Sequence, residues 1–210
     1  MGGSVALMDT KLSALLINCT LKPSPAESST DVLGDQVLDA LAEHGVSADR
    51  IRAVDHDMRP GVQTDMGDGD QWPALRERVL AADILVFATP TWMGQHSSVA
   101  QRVLERLDAE LSETDEQGRP ILFDKVALAV VVGNEDGAHH IAATVFQSLD
   151  DVGYTIPAQG SIYWNGEAMG STDYKDLPDT PDKVAQTIET AAANAAHLAR
   201  ALKASAYPAV

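Results

Sequence analysis

Apolar residues fall along the chain in two alternating patterns. Short unbroken runs, Leu15-Leu16-Ile17, Ile84 to Ala88 and Val126 to Val132, read as buried strands covered on both faces. Between them, apolar positions recur at helical spacing. The sets are Leu33, Val37, Leu38 and Leu41; Leu75, Val79 and Leu80; Val99, Val103, Leu107 and Leu111; Ile141, Val145, Leu149 and Val152; then Val184, Ile188, Ala191, Ala195, Leu198 and Leu202. A short strand is expected near Ile51 to Val54, and a fifth between Tyr154 and Trp164, interrupted by Pro157 and Gly160. Ser29 or Thr30 is the expected N-cap of the first helix and Gly45 its C-cap; Asp70 with Pro73 starts the second. Strand three is expected to stop at Pro90, which cannot donate to a ladder. Strands alternating with helices predict an α/β fold: a doubly wound, five-stranded parallel sheet in the order 2-1-3-4-5. One domain is expected over residues 11–204, with a flexible arm over 1–10 and a tail over 205–210.

Composition narrows the picture. With 210 residues, 45% of them hydrophobic, the chain can bury one core. No run of about 18 apolar residues is present, so no transmembrane helix is expected. The first ten residues lack the basic region of a signal peptide, and Ala6 breaks the myristoylation pattern. A single cysteine, Cys19, excludes an internal disulfide framework and points to a reducing cytoplasm. Its place at the end of an apolar strand marks it as a buried structural thiol. A net charge of -16 argues against nucleic acid or an anionic membrane as partner. The acid gathers in Asp55 to Asp70, Asp108 to Glu116 and Asp173 to Asp182. Solvated surface is the expectation; an acidic docking face for a basic redox partner is the sharper alternative.

In a sheet of this order, ligands bind at the carboxyl ends of the strands where the order reverses, between strands one and three. The first loop there, Thr20 to Thr30, is rich in hydroxyls and opens into a helix, whose N-terminus favours an anion such as phosphate. Thr20, Ser28, Ser29 and Thr30 can donate hydroxyl bonds, and Lys22 adds one charge. After strand three comes Pro90-Thr91-Trp92-Met93-Gly94, an aromatic and a glycine against which a flat ligand can lie. After strand four comes Gly133-Asn134-Glu135-Asp136-Gly137, with backbone for a polar ring edge. The adjacent His139 and His140 diverge by about 100° on a helix, and no further ligands accompany them, so no metal site is expected. The glycine-rich loop Asp55 to Gln71 lies on the same carboxyl edge and could wall a small-molecule pocket. There is no G-x-G-x-x-G, Walker lysine or G-x-S-x-G pattern. Asn18, Cys19 and Thr20 stand where a phospho-accepting receiver domain needs acids.

Taken together, the three loops resemble those of the flavodoxin-like NAD(P)H-dependent FMN reductases and their quinone-reductase relatives, over roughly Ser13 to Leu202. The resemblance implies a flavodoxin-like fold, one FMN per subunit, NAD(P)H as co-substrate and a homo-oligomer. It implies that Thr20, Lys22, Ser28, Ser29 and Thr30 hold the phosphate. Pro90, Thr91, Trp92, Met93 and Gly94 would line one side of the isoalloxazine, and Gly133, Asn134, Glu135, Asp136 and Gly137 the other. Many relatives have arginine where Lys22 stands, so bidentate phosphate contact is lost. The implied activity is an FMN-dependent oxidoreductase that takes hydride from NAD(P)H and reduces a quinone or another small acceptor. No protein residue is assigned the bond chemistry, which belongs to the flavin. Glu135 and Asp136 suit a reduced, anionic flavin poorly unless they point outward, orient nicotinamide or lower the potential. The alternative is a flavodoxin-type one-electron carrier with no turnover of its own.

Overall fold

Strands form where the sequence is continuously apolar, and the computed structural model, which describes residues 11–209, sets five of them side by side. They are β1 (Leu12–Asn18), β2 (Val46–Arg52), β3 (Ile84–Trp92), β4 (Val126–Gly133) and β5 (Ser161–Asn165). All pair in parallel, in the spatial order β2-β1-β3-β4-β5. This is the expected doubly wound order. A two-residue return strand, Gln95–His96, pairs antiparallel with the end of β3.

Helices α1 (Ser29–Glu43) and α5 (Asp182–Ala204) cover one face; α2 (Trp72–Ala81), α3 (Ser98–Leu107) and α4 (Ala138–Asp151) cover the other. Side chains alternate between the layers with the period of a strand. Leu15, Ile17, Leu85 and Phe87 meet α2, α3 and α4, whereas Leu16, Ile84, Val86 and Leu128 meet α1 and α5. On α5, Ala191, Ala192, Ala195, Ala196 and Ala199 are fully buried, and their small side chains let that helix approach closely.

Several boundaries differ from the sequence expectation. β2 begins at Val46, well before Ile51, and Ala53–Asp55 is already a 3-10 turn. β2 is an edge strand whose middle four residues, Ser47 to Arg50, are exposed, so hydrophobicity does not mark it. The N-cap of α1 is Ser28, whose side chain accepts from the Thr30 N–H at 3.2 Å. Its C-cap is His44, with Gly45 one residue beyond at φ +72°. α3 ends at Leu107, and Leu111 is 57% exposed rather than inward, because a 3-10 turn over Asp108–Ser112 takes it off the helical face. The fifth strand is confined to Ser161–Asn165.

β3 also outruns its expected stop. Ala88 turns its carbonyl toward β1 and accepts from Cys19 N–H at 2.8 Å. Pro90, two residues on, faces the same side, past the last β1 pair at Asn18–Ala88. Its missing N–H therefore breaks no ladder bond, and on its other side the strand stays registered with β4, Pro90 against Val132.

Cys19 is fully buried, and burial pushes its thiol pKa up, as suits a structural cysteine. The loop Asp55 to Gln71 is pinned from below by Arg106, which is fully buried. Arg106 donates to Asp70 at 2.7 Å and to the carbonyls of Arg59 and Gln63 at 3.0 and 2.7 Å. Its guanidinium also lies 5.6 Å from the Trp72 ring. Burial alone would raise the Asp70 carboxyl, but hydrogen bonds from Met66 N–H, the Arg106 guanidinium and the Arg59 and Trp72 N–H groups outweigh it. They bring its pKa from 3.8 down to about 2. The depressed value means that this carboxylate stabilises the fold fully above about pH 4 and loses that contribution as pH falls through about 2. The difference amounts to about 2 kcal/mol. In Asp70→Asn, Arg106 would be left buried without its anion, at a cost of about 3–5 kcal/mol. Urea melts at neutral pH should show that loss, and the variant's stability should fall less steeply than the parent's between about pH 4 and 2.

Candidate functional site

A cavity of about 330 Å³ opens at the carboxyl ends of β1, β3 and β4. That is within the usual range for small-molecule sites, about 300–1,000 Å³. The three loops singled out in the sequence meet there. Thr20, Lys22, Ser28, Ser29 and Thr30 line one end; Pro90, Thr91 and Trp92 one side; Gly133, Asn134 and Glu135 the other.

At the hydroxyl end, three oxygens accept from main-chain donors. Thr20 Oγ1 accepts from Lys22 N–H at 3.3 Å, Ser28 Oγ from Thr30 N–H at 3.2 Å, and Ser29 Oγ from Lys175 N–H at 3.3 Å. Each hydroxyl keeps its own proton to donate. They surround the N-terminus of α1, the positive end of its dipole. Asp31, an acid in the first turn, would oppose an anion here, but Asn18 Nδ2 and the Arg52 guanidinium both hold its carboxylate. Arg52 also donates to the carbonyls of Lys22 and Ala26 at 3.2 and 2.8 Å, bracing the loop from behind. Ser24 closes it, donating to Asp55 from N–H at 2.8 Å and from Oγ at 2.5 Å. Sequence reading missed Arg52, since a charged residue on an exposed edge strand is ordinary.

At the other end the walls are aromatic. Trp92 is half exposed at the mouth, at 52%. Opposite stand Trp164, Met169, Asp173 and Tyr174, none of which the sequence marked. The Trp164 and Tyr174 rings are 5.4 Å apart, and Tyr174 OH donates to Gln36 Oε1 at 2.6 Å. The segment after β5 is fastened to the β4 loop by Gly166 N–H to Gly133 O at 2.8 Å, and by Asn134 Nδ2 to Asp173 at 3.1 Å and to Gly170 O at 3.4 Å. Thr91 Oγ1 is buried and has no hydrogen-bond partner among the described residues.

Four expected site residues do not line the cavity: Met93, Gly94, Asp136 and Gly137. They shape it from outside. Met93 and Gly94 form the tip of the β3 hairpin, and Met93 points to solvent at 91% exposure. Asp136 bonds back to its neighbour, accepting from Gly137 N–H at 2.7 Å. Gly137 lies against the backbone of Gly94, locking the second loop to the third. The loop Asp55 to Gln71 contributes nothing to the lining, because Arg106 holds it against α3. His139 pairs with Tyr163 OH at 3.0 Å and His140 with Gln95 at 3.0 Å. Among the described residues no group of three His, Cys, Asp or Glu is placed to hold a metal ion.

A Cβ on Gly137 would lie 2.7 Å from Gly94 Cα, and its φ of +135° suits glycine alone. Gly137→Ala should therefore force the two loops apart and cost more than about 1 kcal/mol. Thermal denaturation, together with increased proteolysis at Met93 to Gly94, would register it.

Comparison with known proteins identifies relatives of the chain. The family described as NADPH-dependent FMN reductase matches residues 13–168. The 8-demethyl-8-aminoriboflavin-5'-phosphate synthase of Streptomyces davaonensis is 34% identical over 206 residues, 93% of this chain and 80% of that protein. A crystal structure of RosB with the bound intermediate 8-demethyl-8-formylriboflavin-5'-phosphate aligns with a TM-score of 0.86 at 34% identity, over 93% of this chain and 82% of that one. A Mycobacterium bovis protein named divalent metal cation transporter MntH is 46% identical over 169 residues. That match takes in 79% of this chain but 25% of the relative, so this chain spans about a quarter of its length. No helix among the described residues is long and apolar enough to cross a membrane. With the fold and these likenesses in agreement, the chain belongs to the NADPH-dependent FMN reductase family.

Proposed function

We propose that this protein is an FMN-dependent oxidoreductase that takes hydride from NADH or NADPH and passes electrons to a quinone or another small acceptor. The observation that carries the proposal is the set of three hydroxyls, on Thr20, Ser28 and Ser29, that accept from the main chain and so keep their protons to donate beside a helix N-terminus. That donor set suits a phosphate monoester. The residues fit the remainder of FMN as well. Two indoles, Trp92 and Trp164, line the cavity, and Thr91 Oγ1 is a buried donor and acceptor without a partner among the described residues.

When bound, FMN supplies the electron-accepting ring. Thr20, Ser28, Ser29, Thr30 and Lys22 would hold its phosphate, and Arg52 would keep their loop in shape through the Lys22 and Ala26 carbonyls. Trp92 and Trp164 would limit water around the ring, and Asn134, fixed by Asp173, would present its carbonyl oxygen to a polar edge. The exposed side of Trp92 leaves room for the hydride donor and then the acceptor at one mouth. A small-molecule acceptor is favoured over a protein partner, because Met169 and Asp173 of the segment after β5 help to wall a cavity that a simple carrier would not need.

The 34% identity to an aminoriboflavin-phosphate synthase favours a second reading, in which riboflavin 5'-phosphate is the substrate and is altered at its 8-position. Two experiments test this proposal; the first decides among the readings and the second tests the phosphate site they share. In the first, the protein is mixed anaerobically with NADH or NADPH, and the flavin is then recovered and weighed by mass spectrometry. Rapid bleaching with FMN recovered intact is the expected result, and the flavin should also come back unchanged from a parallel aerobic sample given an amino acid as amine donor; a changed flavin mass in that aerobic sample, where oxygen can oxidise the 8-methyl carbon and the donor supplies nitrogen, would favour the second reading. No reduction by either nicotinamide, with fast reduction by a reductase protein, would favour an electron carrier.

In the second, Thr20→Ala/Ser29→Ala should weaken FMN binding at least about tenfold while leaving riboflavin binding nearly unchanged. Each bond to a charged oxygen is worth about 1.5–3 kcal/mol, and neighbours sharing one phosphate do not add fully. Quenching of Trp92 and Trp164 emission reports both ligands. Equal losses for the two would show that this loop holds no phosphate.

A further inference from the structure

The acids Glu135 and Asp136 are adjacent in sequence, but the fold separates them. Asp136 is exposed and bonds its own loop. Glu135 is half-buried, lines the cavity and reaches across to the β3 hairpin, where Oε1 accepts from Met93 N–H at 2.8 Å. Among the described residues it is ion-paired to no lysine, arginine or histidine.

The hairpin needs such a brace. Thr91–His96 and Trp92–Gln95 are its paired residues, so Met93 and Gly94 form a two-residue loop. Both have left-handed backbone, with φ of +53° and +73°. This is the arrangement of a primed turn, which favours Asn-Gly. A methionine in its first place is strained by roughly 1–2 kcal/mol. Asparagine could also bond locally, which methionine cannot. The Glu135 carboxylate supplies an acceptor from a different loop, and Gly137 closes the other side of the turn against Gly94.

We propose that Glu135 is a positioning residue that sets the Trp92–Met93–Gly94 turn at the cavity mouth and, by its unpaired charge, makes bound flavin harder to reduce. The charge effect rests on the FMN reading above. Hydride carries two electrons and a proton from NAD(P)H to a neutral ring, leaving NAD(P)+ and a ring with one added negative charge. A carboxylate on the wall repels that charge and has little effect on the neutral ring. Glu135 thus lowers the potential of the site and favours onward transfer of the electrons to the acceptor.

Glu135→Gln and Glu135→Ala separate the two roles. In Glu135→Gln the amide oxygen still accepts from Met93 N–H, and only the charge is lost. Oxidised FMN should bind nearly as in the parent, while reduced FMN should bind at least about tenfold more tightly, which is a rise of about 30 mV for a two-electron couple. An anaerobic dye-coupled titration measures that midpoint. In the apoprotein, hydrogen exchange at the Met93 amide should stay slow in Glu135→Gln and accelerate in Glu135→Ala. An unchanged midpoint in Glu135→Gln overturns the electrostatic role, and unchanged Met93 exchange in Glu135→Ala overturns the bracing role. If the parent binds no FMN, the cofactor reading and the charge effect fall together. The exchange measurement on apoprotein then decides the bracing role by itself.

Discussion

The candidate site depends on one stagger in the sheet: β1 gives up its pairing at Asn18, opposite Ala88, while β3 runs on through Thr89, Pro90 and Thr91 to Trp92. Neighbouring strands of unequal length leave a step at the sheet edge. The β1 loop turns back into α1 on one face, and β3 continues into the hairpin before α3 covers the other. The cavity is the space between them. Pro90 keeps the step from filling, since it can offer no N–H to an extended β1. Ser97 ties the two sides together, donating from Oγ to Cys19 O at 2.6 Å and from N–H to Thr89 Oγ1 at 3.1 Å.

Two arginines support the loops at this edge in a similar way. Arg52 gathers carbonyls of the first loop and the carboxylate of Asp31; Arg106 gathers carbonyls of the Asp55 to Gln71 loop and the carboxylate of Asp70. A planar guanidinium with five donors can satisfy several backbone acceptors at once, which an ammonium cannot do in the same geometry. Such loops have little apolar surface to bury, and their order comes from these charge-assisted bonds. The first loop lines the cavity; the second ends up against α3.

Much of this was legible in the chain because the relevant signals are local. The apolar runs of β1, β3 and β4 and the periodic faces of all five helices need no knowledge of the fold, and the hydroxyls before α1 mark a helix start by themselves. Long-range signals were not legible. β2 is polar along its middle because it lies at the edge. Trp164, Met169, Asp173 and Tyr174 reach the cavity through a Gly- and Asp-rich segment without periodicity, held by bonds to Asn134 and Gly133. Arg106 belongs by spacing to a helical surface, yet is fully buried, and with it the loop that looked free to wall the site is drawn elsewhere. Met93, Gly94, Asp136 and Gly137 were expected at the flavin ring because their loops resemble those of a family, but they lie outside the cavity lining and fasten the loops to one another.

The two apolar layers on either side of the sheet pack helix faces against strand faces, and of their described members only Val132, Trp164 and Tyr174 line the cavity. Occupancy of the cavity therefore adds to folding only by mass action. The gain is about 2.7 kcal/mol when free ligand stands at a hundred times its dissociation constant, and it vanishes as the ligand runs out. The sheet and its two helical layers are thus specified by the chain alone, and a ligand in the cavity would act on the loops around it.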